Sequence, residues 1–311
     1  MKLSIGTDCS GIEAPIQALN KLIKKYDNLS YNHVFSSEID PYAISCIKEN
    51  YDPDILYGDM QKRDLETIPD IDIYVSGFPC QPYSIANKYK KPVDPRINLF
   101  QNCLDVIFHK RPSCFILENV ITLVSLNDGS YFNDIIKQLE DKNLYNIYWN
   151  RMNTKDYGIP QSRKRVYIIG IRRDKQMTEF KFPKQVKMKS LQSFVDKKDT
   201  SKNPIKAVNK GLFSRIPKDS LFIDVGFRNC PFPNSGKWAP CITAQPNMWC
   251  VPMGRKANVK EYFKLQGFPL SFKIPKDVSH HQIKIKVGNS MTVDVIELLM
   301  KEIFLSLEWI H

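Results

Sequence analysis

Over the first 170 positions, short apolar runs alternate with polar stretches at a regular spacing. Runs at 3–6, 32–36, 55–57, 71–75, 114–117, 145–150 and 165–171 have the length and the β-branched or aromatic content of strands. Stretches at 14–26, 41–50, 99–110 and 132–141 carry apolar residues at helical spacing. This alternation predicts an open, mostly parallel α/β sheet with helices on both faces. The last two strand runs have no long helix between them and predict a hairpin at the end of the sheet. Ligands of such sheets bind beyond the carboxyl ends of the strands. That rule singles out positions 7–11, 38–40, 58–59, 77–81 and 118–119.

The pattern changes at 172–250, which is basic, broken by Pro183, Pro204, Pro217, Pro231, Pro233 and Pro240, and without a long helical period. It predicts a small, irregular second domain with short strands. Order returns with a helix over 258–265. A strongly apolar helix over 293–306 needs a large partner surface, which the first domain can supply. The chain thus leaves the α/β body, builds an excursion and comes back.

Charge sharpens this division. Of the formal net charge of +12, residues 171–260 hold 19 Lys/Arg against 6 Asp/Glu, while the rest of the chain holds 26 against 27. One reading is a solvated, Lys-rich surface; the other is a segment that lies along a polyanion and neutralises its phosphates. The eight cysteines form no CxxC pair and have no histidines at zinc-finger spacing, so no structural metal is expected. A basic leader and a membrane-length apolar stretch are both absent, which leads to the expectation of an intracellular protein with free thiols and no membrane contact.

Cys80 lies in Val75-Ser-Gly-Phe-Pro-Cys-Gln-Pro-Tyr-Ser84, directly after an apolar strand. A lone cysteine is usually a small buried hydrophobe, but Gly and Pro before it and Gln-Pro after it make this a sharp turn at a strand end. A thiol presented there, as thiolate, is a nucleophile. Glu118-Asn119-Val120 follows the next strong strand. Such a carboxylate can be a neighbour of a helix N-cap, or a general acid beside the cysteine. Cytosine chemistry would use the pair together: C6 is a poor electrophile until N3 is protonated or strongly hydrogen-bonded. In Gln161-Ser-Arg-Lys-Arg165, alternation places Gln161, Arg163 and Arg165 on one side, either as a basic edge or as fixed donor forks. Glu38, Asp40 and Asp59, each just after a strand, can hold hydroxyls or an exocyclic amine of a nucleoside.

Taken in order, these segments make the chain resemble the DNA (cytosine-C5) methyltransferase family over nearly its full length. The resemblance rests on Asp8-Cys-Ser-Gly-Ile-Glu13, Glu38-Ile-Asp40, Gly58-Asp59, Gly77-Phe-Pro-Cys-Gln-Pro-Tyr-Ser84, Glu118-Asn-Val120, Gln161-Ser-Arg-Lys-Arg165, Leu265-Gln-Gly-Phe-Pro269 and Gly288-Asn-Ser290. It implies a Rossmann-like, S-adenosylmethionine-dependent α/β sheet, with 1–171 and 256–311 as catalytic and cofactor-binding domain and 172–255 as a basic target-recognition domain. It further implies methyl transfer to C5 of a flipped-out cytosine in double-stranded DNA, with S-adenosylhomocysteine as product. Cys80 corresponds to the nucleophile, Glu118 to the group that engages N3 and the 4-amino group, and Arg163 and Arg165 to the pair that supports the active-site loop and binds the base O2. Cofactor contacts are implied for Asp8, Cys9, Ser10, Gly11, Ile12, Glu38 and Ile39. The same holds for Asp59, Met60, Phe78, Pro79, Asn289 and Ser290. Contacts to DNA or the base are implied for Gln81, Ser84, Arg96, Asn119, Gln161, Arg228, Trp238 and Thr243, with Trp238 and Trp249 equally suited to a domain core.

Two departures stand out. Cys9 occupies the position where the family usually has an adenine-stacking Phe, and Glu13-Ala14 replaces the usual Gly-Gly. Neither touches the methyl-transfer groups, so cofactor binding is expected to survive. An RNA-directed branch of the superfamily is a rival, but its Cys-Phe-Thr-like segment has no obvious match here. A catalytically silent regulator is disfavoured by the intact Cys80, Glu118 and Arg165. The remaining expectations are monomeric action, a functional pairing with a restriction endonuclease, and a location in the cytoplasm of a prokaryote or wherever the DNA of a virus or eukaryote is held.

Overall fold

The computed structural model describes residues 1–79, 99–202, 216–217, 219–226 and 236–311. Cys80, Gln81, Ser84, Arg96 and Arg228 lie outside the described residues. Seven strands form the main sheet: β1 (Lys2–Asp8), β2 (Ser30–Ser37), β3 (Ile55–Tyr57), β4 (Ile73–Ser76), β5 (Cys114–Val120), β6 (Tyr145–Asn153) and β7 (Lys164–Arg172). Their spatial order is β3-β2-β1-β4-β5-β7-β6. The first five are parallel, and β7 runs antiparallel to both β5 and β6. The expected hairpin is present, with β7 inserted beside β5 and β6 left as the edge.

Alternation along the strands sends side chains to two cores. Ile73 and Val75 of β4, Cys114 and Ile116 of β5, and Tyr167, Ile169 and Ile171 of β7 face one side. Tyr74, Phe115, Leu117, Val166 and Ile168 face the other. The first core is covered by α1 (Ala14–Ile23) and the C-terminal helix, and the second by α3 (Leu99–Lys110) and α4 (Ser130–Glu140). Helix α2 (Pro41–Asn50) adds Cys46 to the first core, and Asp40 caps its start by accepting from the Tyr42 and Ala43 amides.

After β7 the chain stays on the body at first. The Met177 and Thr178 amides donate to the Ser306 carbonyl, and Phe180, Leu191 and Phe194 join the first core. A small antiparallel sheet follows, β8 (Phe222–Asp224), β9 (Met248–Cys250) and β10 (Arg255–Lys256), ordered β10-β9-β8. Trp249 is buried in β9, so of the two roles its residue type allowed, DNA contact or domain core, the structure takes the core. Three helices close the chain: α5 (Val259–Gln266), α6 (His280–Asn289) and α7 (Val293–Ser306). Sequence patterning assigned nothing over 280–289, where Ile283, Ile285 and Val287 alternate with Lys284 and Lys286. A capping box between Ser279 and Gln282 starts a helix instead, burying Ile283 and Val287 one turn apart. Lys286 pairs with Asp40 across the molecule. Among the described residues no helix is long and apolar enough to cross a membrane, and no group of three or more His, Cys, Asp or Glu is placed to hold a metal ion.

Candidate active site

Parallel strands end together, so the segments after β1, β2, β3, β4 and β5 meet along one edge of the sheet, at the point where strand order reverses between β1 and β4. Antiparallel β7 begins at that same edge. Its register sets Arg165 opposite Val120 and Tyr167 opposite Glu118. The Arg165 Nε consequently stands 3.1 Å from the Glu118 Oε1. Glu118 is only 8% exposed. A carboxylate so deeply buried is kept where it is by a cationic neighbour. Gly77 leaves the space above it open: a Cβ there would stand 3.8 Å from the Glu118 Oε2 and 3.4 Å from Met291. Met291 belongs to the turn between α6 and α7, so the C-terminal end of the chain does return to this edge.

Asn119, expected to touch the base, is buried and faces inward. Its Nδ2 donates to the Phe78 carbonyl at 3.2 Å, and its Oδ1 accepts from the Val120 amide at 2.8 Å. It fixes the stem that leads into Cys80 and does not line the cleft. The Phe78 ring packs on Phe100 in the core, so only its main chain can border a pocket.

Around the end of β1 the structure divides the expected cofactor residues into two groups. Asp8, Ser10 and Ile12 turn their side chains inward. The Asp8 carboxylate is taken by both terminal nitrogens of Arg63, at 2.6 and 2.5 Å, and by the Tyr74 hydroxyl at 2.6 Å. Ser10 bonds Thr7 and Ser37. These three side chains shape the loop and leave its backbone to face a ligand. Cys9, Glu38, Ile39, Asp59 and Asn289 stay at least partly open. The Glu38 Oε2 accepts from the Gly11 amide at 2.8 Å, and its Oε1 accepts from the Ile39 and Asp40 amides. Beside it the apolar Ile39 is 72% exposed. The Cys9 and Met60 sulfurs lie 3.9 Å apart. Burial, then the neighbouring Cys103, Asp8 and Glu38, push the Cys9 thiol well above its ordinary value, so it packs as a neutral group. These residues fit a nucleoside: Ile39 and Cys9 suit the face of its base, and the Glu38 and Asp59 carboxylates can accept from ribose hydroxyls or an exocyclic amine.

Gln161 and Arg163 are both buried and bonded to distant parts of the chain. The strand begins only at Lys164, so the period-two argument that set 161, 163 and 165 on one side does not reach them. Gln161, with no exposed surface, donates to the Leu265 carbonyl and the Gln266 Oε1 at 2.7 and 2.8 Å and accepts from the Ile242 amide at 2.9 Å. Arg163 is 3% exposed. It donates to the carbonyls of Ile242 (2.8 Å), Gly288 (3.0 Å) and Ser290 (2.8 Å). Burial and then the nearby Arg165 lower its pKa, and a guanidinium still keeps its charge. Gln161 fastens the 240s segment and the end of α5 to the body, and Arg163 fastens the 240s segment and the α6–α7 turn. The approach is close enough that a Cβ on Gly288 would stand 2.0 Å from the Thr243 carbonyl oxygen. The Thr243 hydroxyl itself closes a local turn with Gln245. Trp238 is half-buried with the Lys155 ammonium 4.7 Å over its ring.

Sequence reasoning missed Arg63, Tyr74 and Gln266. Arg63 sits in a run of charged residues that reads as a solvated loop. Gln266 lay inside a segment already singled out, and its side chain donates to the Val287 and Ser290 carbonyls.

Comparison with known proteins completes the picture. Residues 9–305 match the family profile described as C-5 cytosine-specific DNA methylase. The chain is 33% identical over 281 residues to the type II methyltransferase M.HaeII of Haemophilus aegyptius, covering 88% of this chain and 86% of that one. It is 34% identical over 295 residues to M.SsoII of Shigella sonnei, covering 89% and 75%. Among solved structures, the S. pombe Dnmt2 methyltransferase superposes with a TM-score of 0.74 at 18% identity over 97% of this chain and 98% of that one, a likeness of fold. The fold is the Rossmann-like methyltransferase sheet, and the shared family makes the protein a DNA-binding, S-adenosylmethionine-dependent enzyme. The chain belongs to the C-5 cytosine-specific DNA methylase family.

Proposed function

We propose that the protein methylates a cytosine flipped out of a specific duplex DNA sequence, through a covalent bond between Cys80 and C6. The observation that carries this reading is the buried Glu118–Arg165 pair at the end of β5, next to the stem that Asn119 ties in place immediately before Cys80. Flipping costs a few kcal/mol of pairing and stacking, offset by contacts along the basic segment. The Cys80 thiolate then adds to C6 while Glu118 supplies a proton or strong hydrogen bond at N3, and Arg165 holds Glu118 and the base O2. Electron density passes to C5, which takes the methyl group; a base removes the C5 proton, and the C6–S bond breaks to release Cys80. The cofactor, held by the 8–13 loop, Glu38, Ile39 and Asp59, supplies an activated methyl on a sulfonium. The protein contributes alignment and fixed charge.

The charge surplus supports assigning target recognition to 172–255, with its first part, through Phe194, strapped to the body. The enzyme works as a monomer, paired in function with a restriction endonuclease and located with the DNA it modifies. Bisulfite sequencing of random-sequence duplex DNA incubated with enzyme and S-adenosylmethionine will show protected cytosines in one sequence context. Cys80→Ala will abolish protection, and methyl transfer at the wild-type rate by that variant would refute the covalent route.

A further inference from the structure

Beneath the cofactor loop lies a buried polar cluster that the reaction itself does not use. Its centre is Glu13, fully enclosed, on the loop that runs from β1 into α1. The Thr7 and Ser36 hydroxyls both donate to its Oε1 at 2.6 Å. The Ser36 oxygen also lies 2.9 Å from the His33 Nε2. From Thr7 the contacts pass to the Ser10 hydroxyl at 2.7 Å, and from Ser10 to the Ser37 amide at 3.0 Å. Ser37 precedes Glu38, whose carboxylate takes the Gly11 amide. The Glu13 carboxylate thus ties Thr7 to Ser36, and adds to the Ser10–Ser37 and Gly11–Glu38 bonds that join the two walls of the nucleoside pocket, 8–13 from β1 and 36–40 from β2.

The fold alone does not call for a glutamate here. Its backbone is left-handed, with φ +61°, a conformation that costs any residue with a Cβ. Its second oxygen, Oε2, is buried with no hydrogen-bond partner among the described residues. A half-satisfied buried polar group destabilises the chain that carries it. Glycine would remove both costs. We infer that Glu13 is a positioning residue for the cofactor: it locks the two pocket walls in their binding separation and so sets affinity for S-adenosylmethionine. The inference rests on that cofactor reading.

Calorimetric titration with S-adenosylmethionine, paired with thermal unfolding, tests it on the full chain. Glu13→Gly relieves the left-handed strain while removing the clamp. The expected result is a melting temperature within about 2 °C of wild type and a Kd raised about tenfold, the scale of one buried hydrogen bond. The loss should fall in KM for the cofactor, with kcat little changed. Glu13→Gln keeps an acceptor for both hydroxyls and gives up only an oxygen that makes no bond, so it should bind within about threefold of wild type. Ser36→Ala, which removes the partner on β2 and leaves the loop sequence intact, should weaken binding in the same direction as Glu13→Gly. Wild-type affinity in Glu13→Gly overturns the inference; so does a loss of affinity matched by a collapse in melting temperature, which would make the role structural. Failure of the wild-type chain to bind S-adenosylmethionine would sink the cofactor reading, and the clamp with it.

Discussion

Replacing Arg163 by Met separates two roles that the linear motif cannot. The methionine matches the stem of the arginine but has no donors, so the carbonyls of Ile242, Gly288 and Ser290 each lose a hydrogen bond, and that of Ser290 keeps the one from Gln266. Hydrogen bonds from a charged donor contribute about 1.5–3 kcal/mol each, and their sum is an upper bound because shared partners are not additive. Against this stands the desolvation of a guanidinium that has no carboxylate beside it among the described contacts, several kcal/mol that the substitution relieves. A net destabilisation of about 2–4 kcal/mol remains. For a chain of this size that corresponds to a fall in melting temperature of about 3–6 °C. Scanning fluorimetry reads it directly, and methyl transfer measured below the lowered transition should stay within about tenfold of wild type, a loss of about 1.4 kcal/mol in barrier. Arg163→Lys should rescue only in part, since one ammonium cannot span three carbonyls as a planar fork does. An unchanged melting temperature with activity lost by a thousandfold would refute the argument and return Arg163 to the base.

Two further substitutions probe the remaining chemistry. Glu118→Gln preserves shape but removes the acid, and should lower kcat about 10²–10⁴-fold with little change in melting temperature, read by single-turnover methylation; near wild-type turnover would exclude Glu118 from proton transfer. Asp199 is held down to about 2 by the Asn258 amide first and then by Ser201 and Arg255. Its contribution to stability is therefore present above the ordinary carboxylate range and is lost as pH falls from about 4 towards 2. Asp199→Asn should lower stability at neutral pH and flatten that acid limb in urea titrations; an unaltered limb would show that the carboxylate does not anchor the segment.

Strand runs, their alternation between two cores and the helices between them were legible because period and length are local properties of the chain. Patterning placed all seven strands of the main sheet, and α2, α3 and α7 begin and end where it set them. The order of short motifs pointed to the family, and family membership was then established by comparison. The direction in which polar side chains turn was not legible. Asp8 turns to Arg63, 55 positions away, Gln161 to Gln266, 105 away, and Arg163 to Gly288, 125 away. Helix α6 went unassigned, and its Lys286 finds Asp40 only after the chain has returned. A residue type announces what bonds it can make. Which bonds it does make depends on the groups that folding brings within 3 Å, and buried polar atoms must take whichever partner is there.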